Sequence, residues 1–520
     1  MAGTAPTQPP RPAGLEALLL GTLGTLLYLL TAPSMVNSDG LGYLKLLPHN
    51  FAAGHLLYMP LLRATTQLVG DGLRAGRLLN ALLGGTGLVL TYGLARRVLR
   101  LLPLGRPFTD EDVRFAAIAA TVLLGLSYGY WVESADVEAY SAALVAMLAT
   151  LRLLSAWMAR PTVARAAAVG VLLGLSVLCH LTHVMLAVPC AIIMASTSDR
   201  NRGRWHAVLA LGLGGVIALS AYLYAAIIVR GQDLAGALRW VATAAHGFRD
   251  GAGIWRLGDA VAGLSKALVY SPYLYEGDGP RMMTLFLCGF LPLVWTLRLV
   301  WRERGSFTTE VRRAALAWVV PYGLVGLLFF GSDVERWVFV LPALCVATGA
   351  VLARRPRRRT LLVVAAGYLL LLNWLTAIGP MHRDTRVKVR AVAAAQATQP
   401  GDLLVFPGHS WDEYVPLYAR GRVEPFPLAY YVARDGEKAA LDHLEADARR
   451  VIAAGGRLVS LRLFGDFDGD ARGFEEMQLL GVGRKELEAD LSARFEISPL
   501  DPGSGAVRLV PRAGHGTKPP

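Results

Sequence analysis

The sequence predicts a polytopic α-helical membrane protein of about eleven transmembrane helices, followed by a small C-terminal α/β soluble domain. Three observations predict this class. The 520 residues are 54% hydrophobic and only 18% charged, a balance foreign to soluble domains. Apolar runs recur from Leu15 to about Pro380, many near the twenty residues that a helix needs to cross about 30 Å of hydrocarbon. After Pro380 the pattern gives way to alternating strand-like and helix-like segments.

Spans are expected near 15–35, 76–95, 114–132, 139–158, 165–181, 183–197, 206–229, 282–300, 313–331, 336–353 and 359–379. The fifth and sixth are short, with His180, Thr182 and His183 at their junction, and so read as two crossings or as a bent, re-entrant pair. Alternate loops are rich in arginine: Arg96, Arg97, Arg100 and Arg106; Arg160 and Arg165; Arg200, Arg202 and Arg204; Arg302, Arg304, Arg312 and Arg313; and Arg354 to Arg359. Cytoplasmic loops retain such residues, which favours two crossings and puts the N-terminus inside. The resulting organisation is a cytoplasmic tail at 1–14, a membrane domain at 15–380, an extracytoplasmic α/β domain at 381–510 and a flexible tail at 511–520. Residues 15–34 read as an uncleaved first helix of a protein in a bacterial inner membrane, because ten more spans follow.

The formal charge is +13. From His382 onward there are 19 Lys and Arg against 20 Asp and Glu, and before it 33 against 19, so the excess is topological and is no nucleic-acid footprint. Cys179, Cys190, Cys288 and Cys345 fall in apolar spans, which argues against disulfides or a thiolate metal site.

Acid and base groups are expensive beside hydrocarbon, so the outside loops are the place to seek chemistry. The first opens with Asn37-Ser38-Asp39-Gly40 and continues through Gly54-His55-Leu56-Leu57-Tyr58-Met59-Pro60. The second, Tyr130 to Tyr140, carries Glu133, Asp136 and Glu138 within six residues. The long loop from Arg230 to Arg281 mixes basic and aromatic residues in the manner of surface-lying helices. A late loop reads Ser332-Asp333-Val334-Glu335-Arg336-Trp337.

Together these features resemble the GT-C superfamily: an acid just after the first span, a short second outside loop with Val137-Glu138-Ala139-Tyr140, and a Glu-Arg-aromatic before a Pro-containing span. Residues 37–61 and 127–185 are similar to bacterial relatives of protein O-mannosyltransferases, with His180-Leu181-Thr182-His183 at the expected His-containing turn. Leu41-Gly42 stand where that group carries a second acid. The resemblance implies inverting transfer of a hexosyl or pentosyl group from a polyprenyl-phosphate-linked donor to a protein, lipid or glycan acceptor, with Asp39 as catalytic base. It further implies that Glu138 and Asp136 orient the acceptor or assist a divalent metal ion, no other cofactor being expected, and that His55, Tyr58, Tyr140, His180, His183, Glu335 and Arg336 contact substrate.

Plainer readings stand beside these. Asp39 could cap the following segment, Glu133 could be solvated, and Arg336, whose guanidinium suits phosphate geometry, could instead pair with Asp333 or Glu335. His180 and His183 are three apart, on one helix face if that segment is helical, but lack a third zinc ligand. In the outer domain, Asp466, Asp468 and Asp470 begin like a calcium loop yet lack its glycine and glutamate, and His409-Ser410-Trp411-Asp412 lacks nucleophile-elbow glycines. Strand 402–406, helix 434–454 and strand 457–461 read as β-α-β, with helix 473–492 and strands near Phe495 and Val507 completing the domain. A transporter and a non-catalytic envelope scaffold remain rival functions. Intramembrane charges are few, Arg152 being the main exception.

Overall fold

The computed structural model describes residues 13–47, 54–101, 108–196, 199–243, 257–270, 279–302, 309–328, 333–408, 411–419, 422–461, 463, 477, 480–501 and 506–512. The chain divides into two compact units, Met1–Arg383 and Asp384–Pro520.

The first unit is all helical. α1 (Ala13–Leu30) is the first span, the short α2 (Ser38–Leu46) and α3 (Tyr58–Val69) occupy the loop after it, and α4 (Gly72–Leu101) is the second span. α5 (Asp110–Leu126), α6 (Tyr128–Ala135), α7 (Tyr140–Ala159), α8 (Val163–Cys179), α9 (Ala187–Ala195) and α10 (Arg200–Leu223) follow. α11 (Leu234–Thr243) and α12 (Leu257–Leu268) lie in the long loop. α13 (Gly279–Arg302), α14 (Thr309–Leu328), α15 (Leu341–Ala353) and α16 (Arg358–Asn373) are the last long apolar helices before the short α17 (Gly379–Arg383). Among the described residues four helices are long and apolar enough to cross a membrane, at Gly72–Arg100, Tyr140–Ala159, Asn201–Val229 and Arg358–Gln396, and the bent pair Asp110–Leu126 with Tyr128–Ala135 makes a fifth; shorter apolar helices stand at the other expected spans. Leucines and valines of α1, α10 and α16, among them Leu18, Val216 and Val363, remain exposed, as a lipid-facing surface requires.

Two local expectations need correction. The segment read as one span at 114–132 is a pair bent by 65°, because Ser127 takes extended backbone angles and its hydroxyl donates to the Leu124 carbonyl at 2.6 Å. His180 and His183 do not share a helix face. His180 caps α8 in an extended conformation, and His183 lies in the 3₁₀ turn Leu181–Leu186 that leads into α9.

The second unit is a small α/β domain. α18 (Arg386–Gln396), α19 (Val415–Tyr418), α20 (Leu428–Asp435), α21 (Glu437–Ala453) and α22 (Arg484–Arg494) flank five strands: β1 (Leu403–Phe406), β2 (Glu424–Pro427), β3 (Leu458–Ser460), β4 (Phe495–Asp501) and β5 (Ala506–Pro511). The order is β2-β1-β3-β5-β4, with β1 parallel to β2 and β3, and β5 antiparallel to β3 and β4. Successive β1 residues feed opposite faces: Leu403 and Val405 pack with Leu441, Leu444 and Leu487, while Leu404 and Phe406 pack with Ala391, Ala394 and Val415. The helix expected at 473–492 is described only as Arg484–Arg494. The aspartates at 466, 468 and 470, and His409 and Ser410, lie outside the described residues.

Candidate active site

Beyond the C-terminal end of α1, Asn37 acts as the cap of α2. Its Oδ1 accepts from the Gly40 N–H at 2.7 Å, so the capping task proposed for Asp39 falls to its neighbour and the Asp39 carboxylate is spared. Asn37 also ties α2 to the second loop: its N–H donates to Asp136 Oδ2 at 2.9 Å and its amide donates to Glu138 Oε1. Gly40 is required for this approach, because a Cβ there would collide with the Val137 carbonyl and the Val36 side chain.

The second loop is held from beneath by α4. The Asn80 amide donates to the main-chain carbonyls of Glu138, at 2.5 Å, and Glu133, at 3.3 Å, while Tyr58 donates to Asn80 Oδ1 at 3.2 Å. The Ser141 hydroxyl adds a bond to the Glu133 carbonyl at 2.9 Å. Glu133, expected to be solvated, is buried with Asp136 and Glu138, because α6 turns inward after the bend at Ser127. Glu133 Oε2 and Glu138 Oε2 are both buried with no hydrogen-bond partner.

The third contribution is the 3₁₀ turn Val334–Trp337. It brings Glu335 to the carboxylates of Asp39 and Glu138, so that one oxygen from each of the three lies within 4.8 Å of the others. Asp333 caps the turn by accepting from the Glu335 N–H at 3.2 Å. Arg336 donates to the Tyr140 hydroxyl at 3.0 Å and stands 3.4 Å from Asp333 Oδ2, an ion pair longer than a good hydrogen bond. The expected pairing with Asp333 is thus present through Nε, as an ion pair without a hydrogen bond.

Electrostatics follow from burial and crowding. Asp39 keeps an exposed edge, and its partial withdrawal from water and the Asp333 carboxylate raise its pKa, with Arg336 opposing. Burial first, then Asp333 and Asp39, lift Glu335 to about 8. Asp136 rises to about 6 through burial, held down by Arg77 and the backbone N–H groups of Val137 and Asn37. Glu138 is raised by burial and then by Glu133 and Glu335. Such displaced, like-charged acids are costly to maintain and mark functional sites.

An aromatic wall adjoins the acids. Tyr43 stacks edge-on with His55 and Tyr58 at 5.6 and 5.2 Å, and His180 lies 4.7 Å from His55 and 5.0 Å from Tyr140 between ring centres. His183 adjoins this group, 6.1 Å from His180 between ring centres, and bonds the Tyr322 hydroxyl at 2.6 Å and the Ala143 carbonyl at 2.9 Å. The structure therefore assembles Asp39, Asp136, Glu138, Glu335, Arg336, His55, Tyr58, Tyr140 and His180 in one neighbourhood, with the buried His183 against His180 at its edge. Asn80 and Tyr43 were not singled out in the sequence. Asn80 is one polar residue within a long apolar helix, a signal that could have found it.

The three carboxylates supply only hard oxygen donors, a set that fits magnesium, manganese or calcium and not a tetrahedral zinc centre.

No protein-family model matches the sequence, and no curated protein matches it. Solved structures do. ArnT from Cupriavidus metallidurans bound to undecaprenyl phosphate aligns with a TM-score of 0.60 at 13% identity, covering 98% of this chain and 100% of that one. The apo form of the same protein gives 0.57 at 14% identity, covering 96% and 98%. An oligosaccharyltransferase from Archaeoglobus fulgidus, tethered with an acceptor peptide, gives 0.51 at 12% identity over 86% of this chain and 69% of that one. The chain has the fold of the GT-C membrane glycosyltransferases along almost its whole length.

Proposed function

We propose that this protein is a glycosyltransferase that moves a sugar from a polyprenyl-phosphate donor to an acceptor at the outer face of a bacterial plasma membrane. The observation that carries this reading is the junction of three carboxylates, Asp39, Glu138 and Glu335, with the guanidinium of Arg336 on the adjoining residue. An undecaprenyl phosphate bound in the ArnT of like fold supports the donor class. The basic loops support an N-terminus in the cytoplasm and an outer domain outside.

In the inverting reaction, Asp39 accepts the proton of the acceptor hydroxyl or amine as that atom bonds to the anomeric carbon. The bond from that carbon to the phosphate oxygen breaks on the opposite side, and the lipid phosphate keeps the electron pair. Arg336, planar and permanently charged, offers two parallel donors to that phosphate. Glu138 and Asp136 fix the loop that positions the acceptor. His55, Tyr58, Tyr140 and His180 supply a surface of ring faces and polar edges suited to a sugar. Asp39, Glu138 and Glu335 would hold a divalent cation, which when bound would neutralise the developing phosphate charge. The acceptor, whether protein, lipid or glycan, would enter from the outer side.

The test is transfer of radiolabelled sugar from polyprenyl-phosphate sugars in membranes with matched amounts of wild type and Asp39→Asn. Loss in the variant alone supports the reading. Equal transfer removes Asp39 from the chemistry, and no transfer from any donor in either protein favours a transporter or scaffold.

A further inference from the structure

At the other end of α1 lies a cavity of about 570 Å³ between α1, α4 and α7, lined by Gly14, Leu18, Arg96, Arg97, Arg100 and Arg152 among others. It is far from the carboxylates: α1 has 18 residues, a rise of about 27 Å, and Asp39 follows its C-terminal end. The surrounding basic segments gather at this end. Arg358 at the start of α16 pairs with Glu111 and Asp112 at the start of α5, and Arg354 lies over the Phe108 ring at 4.8 Å.

The cavity's charge is unbalanced. Glu16 is engaged by Arg114 at 2.5 Å and by the Tyr92 hydroxyl at 2.6 Å, and Asp110 is engaged by Arg100 at 2.8 Å. Arg96 lies over the Tyr92 ring at 5.7 Å. Arg97 and Arg152 pair with no carboxylate among the described residues, and Arg97 Nε is buried without a hydrogen-bond partner. Arg152 stands about 18 Å along α7 from Tyr140 and about 10 Å from its other end, within a helix apolar enough to cross a membrane, where a guanidinium needs a partner or a polar cavity. Gly93 of α4 accommodates it, since a Cβ there would collide with Arg152 Nη1. Two unpaired guanidinium groups directed at one cavity call for an anion. Leu18 lines the cavity and is exposed, as are Leu15 and Leu19 on the same end of α1, a surface that calls for acyl chains.

We propose that this cavity is a second ligand site, remote from the carboxylate centre, that binds the phosphate headgroup of an anionic lipid from the leaflet facing the basic loops. Arg97 and Arg152 grip the phosphate while the chains lie along α1. Arginine suits this task because its donors match phosphate oxygens in pairs.

The experiment uses the full chain in detergent. Native mass spectrometry would score lipid retained after addition of phosphatidylglycerol, cardiolipin, phosphatidylcholine, undecaprenyl phosphate or inorganic phosphate, for wild type and for the Arg97→Gln/Arg152→Gln double variant. Wild type should retain one anionic lipid, with phosphatidylcholine retained far less. The double variant should bind roughly thirtyfold more weakly, at about tenfold for each 1.4 kcal/mol and about 1 kcal/mol per cation. Preferential displacement by undecaprenyl phosphate would identify the carrier lipid as the occupant, and displacement by inorganic phosphate alone would overturn a lipid site. Equal retention of phosphatidylcholine by wild type would overturn the proposal without recourse to the variant, as would undiminished binding by a folded double variant.

Discussion

The two units each bury an acid, in opposite ways. In the C-terminal domain Asp402 is fully buried, and both of its oxygens are satisfied: Oδ2 accepts from the Gln399 N–H at 2.8 Å and Arg457 Nη2 at 2.6 Å, and Oδ1 accepts from the Arg457 N–H and Nε at 3.0 and 3.1 Å. In the membrane unit Glu133 and Glu138 are equally hidden, yet each keeps an unpartnered oxygen, and Glu138 shares a corner with two further carboxylates. An acid that closes its own bonds serves the fold, here by tying the start of β1 to the start of β3. Acids left crowded and incomplete lower stability, and such groups cluster at functional sites.

The largest expected effect tests the incomplete side of that contrast. Asp39→Asn preserves shape and removes the base, and should lower kcat/KM for sugar transfer by roughly 10²–10⁴-fold while leaving thermal unfolding nearly unchanged. A variant that loses stability and keeps its activity would make Asp39 a structural acid after all.

On the complete side, Asp402→Asn leaves Arg457 without its countercharge and should destabilise the C-terminal domain by about 3–5 kcal/mol, at the scale of a broken buried pair. Hydrogen exchange at the β1 amides in the full chain would read this as a loss of protection. Unchanged exchange would show that the Asp402 pair contributes no more than a surface bridge. Next in size, Arg336→Gln should cost roughly 10²–10³-fold in kcat/KM, the scale of a lost donor to a developing charge, and Arg336→Lys should recover part of it by keeping the charge without the paired donors. Equal activity of the Gln and Lys variants would leave Arg336 as a mere partner of Asp333.

The contrast was only half legible beforehand. The spans were readable because the bilayer imposes a length, and α7 matches its apolar run to within one residue at each end, while α4 runs several residues beyond its own. Asp39, Glu138 and Arg336 were readable because charge beside hydrocarbon needs a reason. Burial of Glu133 was not, since it depends on the bend at Ser127, which a continuous apolar run conceals. Asn80 joins two loops that are distant in sequence, so its role exists only in the folded bundle. β2, Glu-Pro-Phe-Pro, hid behind its prolines. It is tolerated because it sits at the sheet edge, where missing N–H donors cost little.

The smallest effect is also the most diagnostic of why the acids stay incomplete. Glu335 titrates near 8 in the folded protein, against an ordinary 4.5. Its raised pKa means that between those values the folded state holds a proton that the unfolded chain releases. Its contribution to stability is therefore fully present below about pH 4.5 and declines as pH rises through 8. Glu335→Gln removes that titration, so its melting temperature should fall less than wild type's between pH 5 and pH 8, by a few degrees in a differential scan. If a divalent cation completes the cluster, millimolar magnesium or manganese should flatten the wild-type slope and leave the variant's unchanged. A slope insensitive to both the substitution and the metal would mean that the carboxylates at this corner neither share a proton nor await a cation.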